Sequence, residues 1–173
     1  MRELYQPESD FLNLCLNDEI VLDGSAFGVE NIRRLLKFVD DAVQSNRDWA
    51  AFLIAGLRFD SDEIRAALLR AAQDEDADTR DEAIVGLARR DRVAATAILR
   101  SLLEQEVGVV LLEAATIVGD SGLIPALYAL RGRTNANDAF RGQLERAITA
   151  CTAGIGIDDI GLELTFLDGL SDV

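Results

Sequence analysis

The side chains able to do chemistry in this chain are few in kind. There is no histidine, and there are two cysteines and one tryptophan beside 31 carboxylates and 17 basic groups. Without histidine the chain lacks the commonest general base and the commonest metal ligand at neutral pH. Cys15 and Cys151 stand far apart in sequence, belong to no Cys-x-x-Cys pair, and have no imidazole to draw off a thiol proton. They read as small buried hydrophobes. The run Asp74-Glu75-Asp76-Ala77-Asp78 has the carboxylate density of a calcium loop. Counted from Asp74, however, the sixth and twelfth positions are Thr79 and Val85, where that loop needs Gly and Glu. A solvated acidic turn is the expected state. No phosphate loop, dinucleotide fingerprint or metal-spaced ligand set occurs. The expectation is therefore a protein that is not an enzyme, with no catalytic residue, no cofactor and no metal.

The polar set with the most regular spacing is Arg70, Arg100 and Arg131. Guanidinium groups repeated along one face suit carboxylates or phosphates through their fork of donors. A structural role competes with this reading: each Arg falls near the end of a helix, where the dipole and nearby acids favour a cation. Tyr128 lies three residues before Arg131 and is the other candidate partner-binding residue. Trp49 opens a helix and reads as packing.

These residues are positioned by an internal repeat. Shifted by 30, Asp48, Ile54, Gly56, Leu57, Ala67, Leu69 and Arg70 meet Asp78, Ile84, Gly86, Leu87, Ala97, Leu99 and Arg100. Shifted by 31, Glu82, Ala83, Ala95, Leu99 and Arg100 meet Glu113, Ala114, Ala126, Leu130 and Arg131. A weaker copy starts near Asp138. Each unit divides into two helices: Asp48 to Arg58 and Glu63 to Gln73, Thr79 to Arg90 and Val93 to Glu104, Val107 to Val118 and Leu123 to Arg131. Helical spacing of Ile64, Leu68 and Ala71, of Ala95, Ile98, Leu99 and Leu102, and of Leu123, Leu127 and Leu130 gives each second helix an apolar face. Asp60 or Ser61, Asp91, and Asp120 or Ser121 stand where N-caps are needed. With 24 Ala, 25 Leu and two Pro, nothing breaks a nearly all-helical chain.

The segment Glu113-Ala114-Ala115-Thr116-Ile117-Val118-Gly119-Asp120-Ser121-Gly122-Leu123-Ile124-Pro125-Ala126-Leu127 resembles a HEAT repeat, and Asp48 to Leu57 is similar. More narrowly, the units resemble the short bacterial HEAT-like repeats named after phycobilisome lyases. The second unit departs from the pattern, with Ala88-Arg89-Arg90-Asp91 where Gly-Asp is common. The resemblance covers roughly residues 47–151. It implies an all-α fold, a short right-handed α-solenoid of stacked antiparallel helix pairs, whose second helices line a concave binding face. That face would carry Arg70, Arg100, Tyr128 and Arg131.

Two flanks complete the domain plan. Residues 1–46 form an N-terminal capping segment with one main helix, Glu30 to Ser45, apolar at Ile32, Leu35, Leu36, Val39 and Val43. Residues 11–16 suit a short helix or a strand equally. Residues 47–151 hold about three and a half repeats, and residues 152–173 an acidic, glycine-containing tail. The formal charge of −14 splits into −5, −4 and −5 over these three segments. A protein this acidic is not expected to bind nucleic acid or an anionic membrane, which also disfavours the HEAT-like alkylpurine DNA glycosylases. No basic-then-apolar leader opens the sequence, and a cytoplasmic location is expected.

The function expected from all this is a noncatalytic scaffold or adaptor that presents a helical groove to a protein or peptide partner, with a homo-oligomer also open. The alternatives are an accessory subunit of a lyase-like or modifying enzyme complex, or an immunity- or antitoxin-like inhibitor of a basic protein. The tail, with its acids and Phe166, Leu167 and Leu170, suits a peptide that docks into a groove, or one that covers the last helix.

Overall fold

The computed structural model describes residues 5–105, 108–133, 138–158, 161 and 164–167. The chain falls into two compact units, residues 1–86 with 163–173 and residues 87–162. Among the described residues there are nine α-helices and one two-residue strand pair.

In the first unit, α1 (Asp10–Leu16), α2 (Ala26–Lys37), α3 (Gln44–Ala55) and α4 (Asp62–Ala71) are followed by the first part of α5 (Ala77–Arg90). Residues 11–16 are therefore helical. The periodicity that extended one helix from Glu30 to Ser45 is interrupted. A 3-10 turn, Phe38–Asp40, follows α2, and Asp41 then leaves helical space at ψ 146°. Asp41 Oδ1 accepts the Val43 N–H at 2.8 Å, a local side-chain bond that competes with helix continuation. Val43 becomes the N-cap of α3 instead of a core position. The junction is stitched from below by Asn46, 6% exposed. Its Oδ1 accepts from Ser9 N at 2.9 Å and its Nδ2 donates to Asp41 at 3.2 Å.

The core of this unit is built from Leu12, Ile32, Leu35, Ile54, Ile64, Leu68 and Ile84, all fully buried. α3 packs on α1, α2 and α4. Ser61 caps α4, its hydroxyl accepting from Ile64 N at 3.2 Å. The acidic turn resolves into structural roles. Arg47 clamps Asp74 at 2.7 Å, and Asp76 accepts from Thr79 N at 3.0 Å. Burial alone would raise the Asp74 carboxyl, but the Arg47 guanidinium and the Asp76 N–H together hold it below the usual range. A short parallel pair joins β1 (Phe59–Asp60) to β2 (Thr165–Phe166). Tail residue Leu167 is buried, whereas Phe166 is 55% exposed. Leu170 lies outside the described residues.

Gly86 marks a close helix approach in this unit. A Cβ there would stand 2.7 and 2.9 Å from the Leu68 methyls and 3.1 Å from Ala55 Cα. Leu68 is fully buried and cannot swing clear. Gly86→Ala is therefore expected to destabilise by about 1–2 kcal/mol, the overpacking outweighing the gain in helix propensity. A urea midpoint at or above that of the parent would contradict this packing.

In the second unit, α6 (Arg92–Gln105), α7 (Val109–Val118), α8 (Ile124–Arg133) and α9 (Asp138–Ala153) surround a core of Leu99, Leu103, Leu111, Leu112, Leu123, Leu127, Leu130 and Ala147. α7 packs on α9 and α6, and α8 packs on both as well. On α6 the fully buried residues are Ala95, Leu99 and Leu103, while Ile98 and Leu102 are only half-buried, so the apolar face is rotated slightly from that read off the sequence. Asp91 caps α6 through Ala94 N at 3.0 Å. Asp120 starts the 3-10 turn before α8 by accepting from Gly122 N.

Gly119 ends α7 at φ +60°, a left-handed C-cap that glycine adopts without strain. Residues 155–158 then run back against that helix end. Ile157 N donates to Thr116 O at 3.0 Å, satisfying a carbonyl that the helix terminus leaves unpaired. Arg89, whose side chain is 4% exposed, holds the strap through Asp158 at 3.1 Å and also reaches Glu113 at 3.5 Å. This part of the tail covers the end of α7 and also meets α9, where Ile155 N donates to Ala150 O at 3.2 Å.

Candidate interaction site

The three arginines meet different surroundings. Arg70 belongs to the first unit, and Arg100 and Arg131 to the second. Arg70 sits at the end of α4, over a groove of about 640 Å³ whose lining includes Arg33, Lys37, Asp40 and Glu63. Its Nη2 lies 3.1 Å from Asp40, and both side chains are more than half exposed. Such an exposed pair contributes little stability, but it leaves the guanidinium already matched.

Arg131 lies at the end of α8. Its guanidinium carbon stands 4.4 Å over the Tyr128 ring, and Nη1 reaches Glu145 on α9 at 3.4 Å. The structure thus brings Tyr128 and Arg131 together as an exposed cation–π pair.

Arg100 is different. It is exposed on α6 and, among the described residues, has no carboxylate within ion-pair distance. The same holds for Arg92. With Thr96 between them they occupy one face of α6 at spacings of four residues. They line a groove of about 460 Å³ completed by Val93, Val118, Gly119 and Asp120. Thr96 spends its hydroxyl on the Arg92 carbonyl at 2.8 Å, and Asp120 spends one oxygen on Gly122 N at 2.6 Å. The groove therefore offers two unmatched guanidinium forks against one partly committed carboxylate.

Burial also sets the register. Leu68, Leu99 and Leu130 are fully buried at intervals of 31. Arg100 and Arg131 each follow their leucine directly, whereas Arg70 follows Leu68 by two positions. One residue is about 100° around a helix, so Arg70 points differently on α4 than the other two do on theirs. Arg92 escaped sequence reasoning because it lies outside the repeated identities, in the first turn of its helix. Its signal was the Arg-x-x-x-Thr-x-x-x-Arg spacing of residues 92–100.

The remaining chemistry is sparse. No group of three or more Cys, Asp or Glu among the described residues is placed to hold a metal ion. Burial pushes both thiols up to about 11, with Arg34 opposing this at Cys15 and Asp120 adding to it at Cys151. Both cysteines should stay unlabelled by iodoacetamide at pH 8 until the chain is unfolded in urea. Labelling of either at the rate of a free thiol in the native protein would contradict their burial. Among the described residues no helix is long and apolar enough to cross a membrane.

Helix pairs at intervals near 30 residues, capped at each second helix and lined by buried leucine, define an α-solenoid repeat protein. The family model described as HEAT repeats matches residues 32–118, half of the length, and the chain belongs to that family. Its curated relatives include Protein YibA of Escherichia coli strain K12 and of Escherichia coli O157:H7. Each is 28% identical over 113 residues, which is 65% of this chain and 40% of theirs. The chain thus spans about two fifths of the length of these relatives. The X-ray structure of YibA matches with a TM-score of 0.57 at 24% identity, over 78% of this chain and 54% of that one. At this identity the likeness is one of fold. HEAT repeats are helical scaffolds that commonly mediate protein interactions and are generally noncatalytic.

Proposed function

We propose that this protein is a noncatalytic interaction scaffold whose second unit holds a carboxylate-bearing segment of a protein partner in the α6 groove. The observation that carries the reading is the pair Arg92 and Arg100. Two exposed guanidinium groups line one groove with no ion-pair partner among the described residues. In a chain of net charge −14, cations left unmatched beside abundant acids favour an external anion. The fork geometry of arginine favours planar carboxylates over a diffuse counter-ion. Tyr128 and Arg131 add an exposed platform on α8 whose charge is already offset by Glu145, so their contribution is the smaller one. Arg70 has no part in this groove. Charge reversal at Arg100, with circular dichroism to verify folding, tests the reading: affinity for the partner should collapse, and unchanged affinity in a folded variant would refute it.

A further inference from the structure

A second surface, in the first unit and independent of the arginine groove, has the opposite character. Trp49 and Phe52 on α3 meet edge to face with ring centroids 5.6 Å apart, and Tyr5 stacks on Trp49 at 6.1 Å. Tyr5 and Phe52 remain 51% and 47% exposed. Trp49 packed between two rings that each keep about half their area in water forms an unpartnered aromatic face.

The surroundings specify what fits it. Asp48 precedes Trp49 on α3, is 8% exposed and interacts with the Tyr5 hydroxyl, which accepts from Gln44 Nε2 at 3.1 Å. Asp76 and Asp78 lie within electrostatic reach of Asp48, and Asp76 within reach of Tyr5. Asp48 and Asp78 have no ion-pair partner among the described residues. Asp76, despite burial, is held below the usual range by hydrogen bonds from Thr79 and Gln44 and by Arg47, whose guanidinium bonds Asp74. Burial pushes the Asp48 carboxyl up, the Tyr5 hydroxyl opposes this, and Asp78 and Asp76 add to it. Electron-rich ring faces bordered by carboxylates that outnumber the nearby cation are complementary to a cation with an apolar stem.

We propose that the Tyr5–Trp49–Phe52 face, bordered by Asp48, Asp76 and Asp78, docks an arginine- or lysine-bearing segment of a partner protein. The basic side chain lies over the rings with its charge toward the carboxylates. The scaffold then has two recognition surfaces of opposite sign, one for an acidic and one for a basic segment.

Trp49 is the single tryptophan of the chain, so its emission reports on this face directly. The test titrates the full chain with an octapeptide of alternating arginine and serine while Trp49 fluorescence is followed. A saturable change is expected, weakening steeply between about 50 and 500 mM salt. Phe52→Ala and Asp78→Lys, both at exposed positions, should each raise Kd by at least about tenfold. Asp62→Lys makes the same charge change at the start of α4 and should leave Kd within about twofold. The proposal is overturned if no saturable change occurs, or if Phe52→Ala binds like the parent. It is equally overturned if Asp62→Lys weakens binding as much as Asp78→Lys does, because net charge would then account for the attraction.

Discussion

Replacing Gly156 with valine should detach residues 155–158 from the end of α7 and lower stability by about 3 kcal/mol. A Cβ at position 156 would fall onto the Ile117 carbonyl oxygen, a backbone atom of a buried helix end that has nowhere to move. Gly119 closes the other side, since a Cβ there would stand 2.5 Å from the Ile155 carbonyl carbon. The two glycines permit one backbone to lie on the other, and the variant can keep the helix or the strap but not both. Losing the strap removes the Ile157–Thr116 bond, worth about 1 kcal/mol. It also takes Asp158 from an Arg89 side chain that is 4% exposed. Removing one partner of a buried pair costs about 3–5 kcal/mol, here moderated by Glu113, which stays within 3.5 Å of Arg89. At about 2–4 °C per kcal/mol for a chain of this size, the apparent Tm should fall by roughly 6–12 °C. The Ile157 amide should lose its protection from hydrogen exchange at the same time. A Tm within roughly 2 °C of the parent, with that amide still protected, would contradict the packing.

Charge reversal in the α6 groove carries the second large effect. Arg100→Glu should weaken partner binding by about 100-fold or more, and Arg92→Glu by a similar factor. Each guanidinium loses charge-assisted bonds worth about 1.5–3 kcal/mol, and the introduced carboxylate adds like-charge repulsion. Arg131→Ala and Arg70→Ala should change affinity by less than about threefold. Their charges are met within the protein by Glu145 and Asp40, so an incoming anion gains little from them. Calorimetric titration of the four variants tests the ranking. Free-energy losses at Arg70 and Arg131 about half those at Arg92 and Arg100, in proportion to the charge removed, would show that net charge, not the groove, governs binding.

The fold was legible in the sequence wherever contacts are local and periodic. The leucines of each second helix, the caps Ser61, Asp91 and Asp120, and the 30- to 31-residue interval all follow from side-chain spacing along one helix pair. The break after α2 was hidden because the Asp41 bond to Val43 N is a side-chain choice made inside an otherwise unbroken apolar period. The strap was hidden for another reason. Gly156 reads as one glycine in a glycine-containing tail, and its necessity appears only when Ile117 O, 39 positions away, lies against it. The site was half legible. The repeat identities led to Arg100 and Arg131, but a spacing of 30 put Arg70 in line with them, whereas buried leucines recur at 31. Arg92 lay outside the repeat and was missed, and Tyr5 joins Trp49 across 44 positions that no local pattern links.

The most direct test of the account places a photo-crosslinking residue in the groove. Thr96 lies between Arg92 and Arg100 and lines the same cavity, and its hydroxyl bonds only to the chain's own backbone among the described residues. With p-benzoylphenylalanine at position 96, irradiation in the source cells and mass spectrometry of the adduct identify the peptide held there. The expected adduct is a peptide of another protein rich in Asp and Glu, lost when Arg92→Glu and Arg100→Glu are combined. A basic or apolar peptide at this position, or an adduct that survives both reversals, would contradict it.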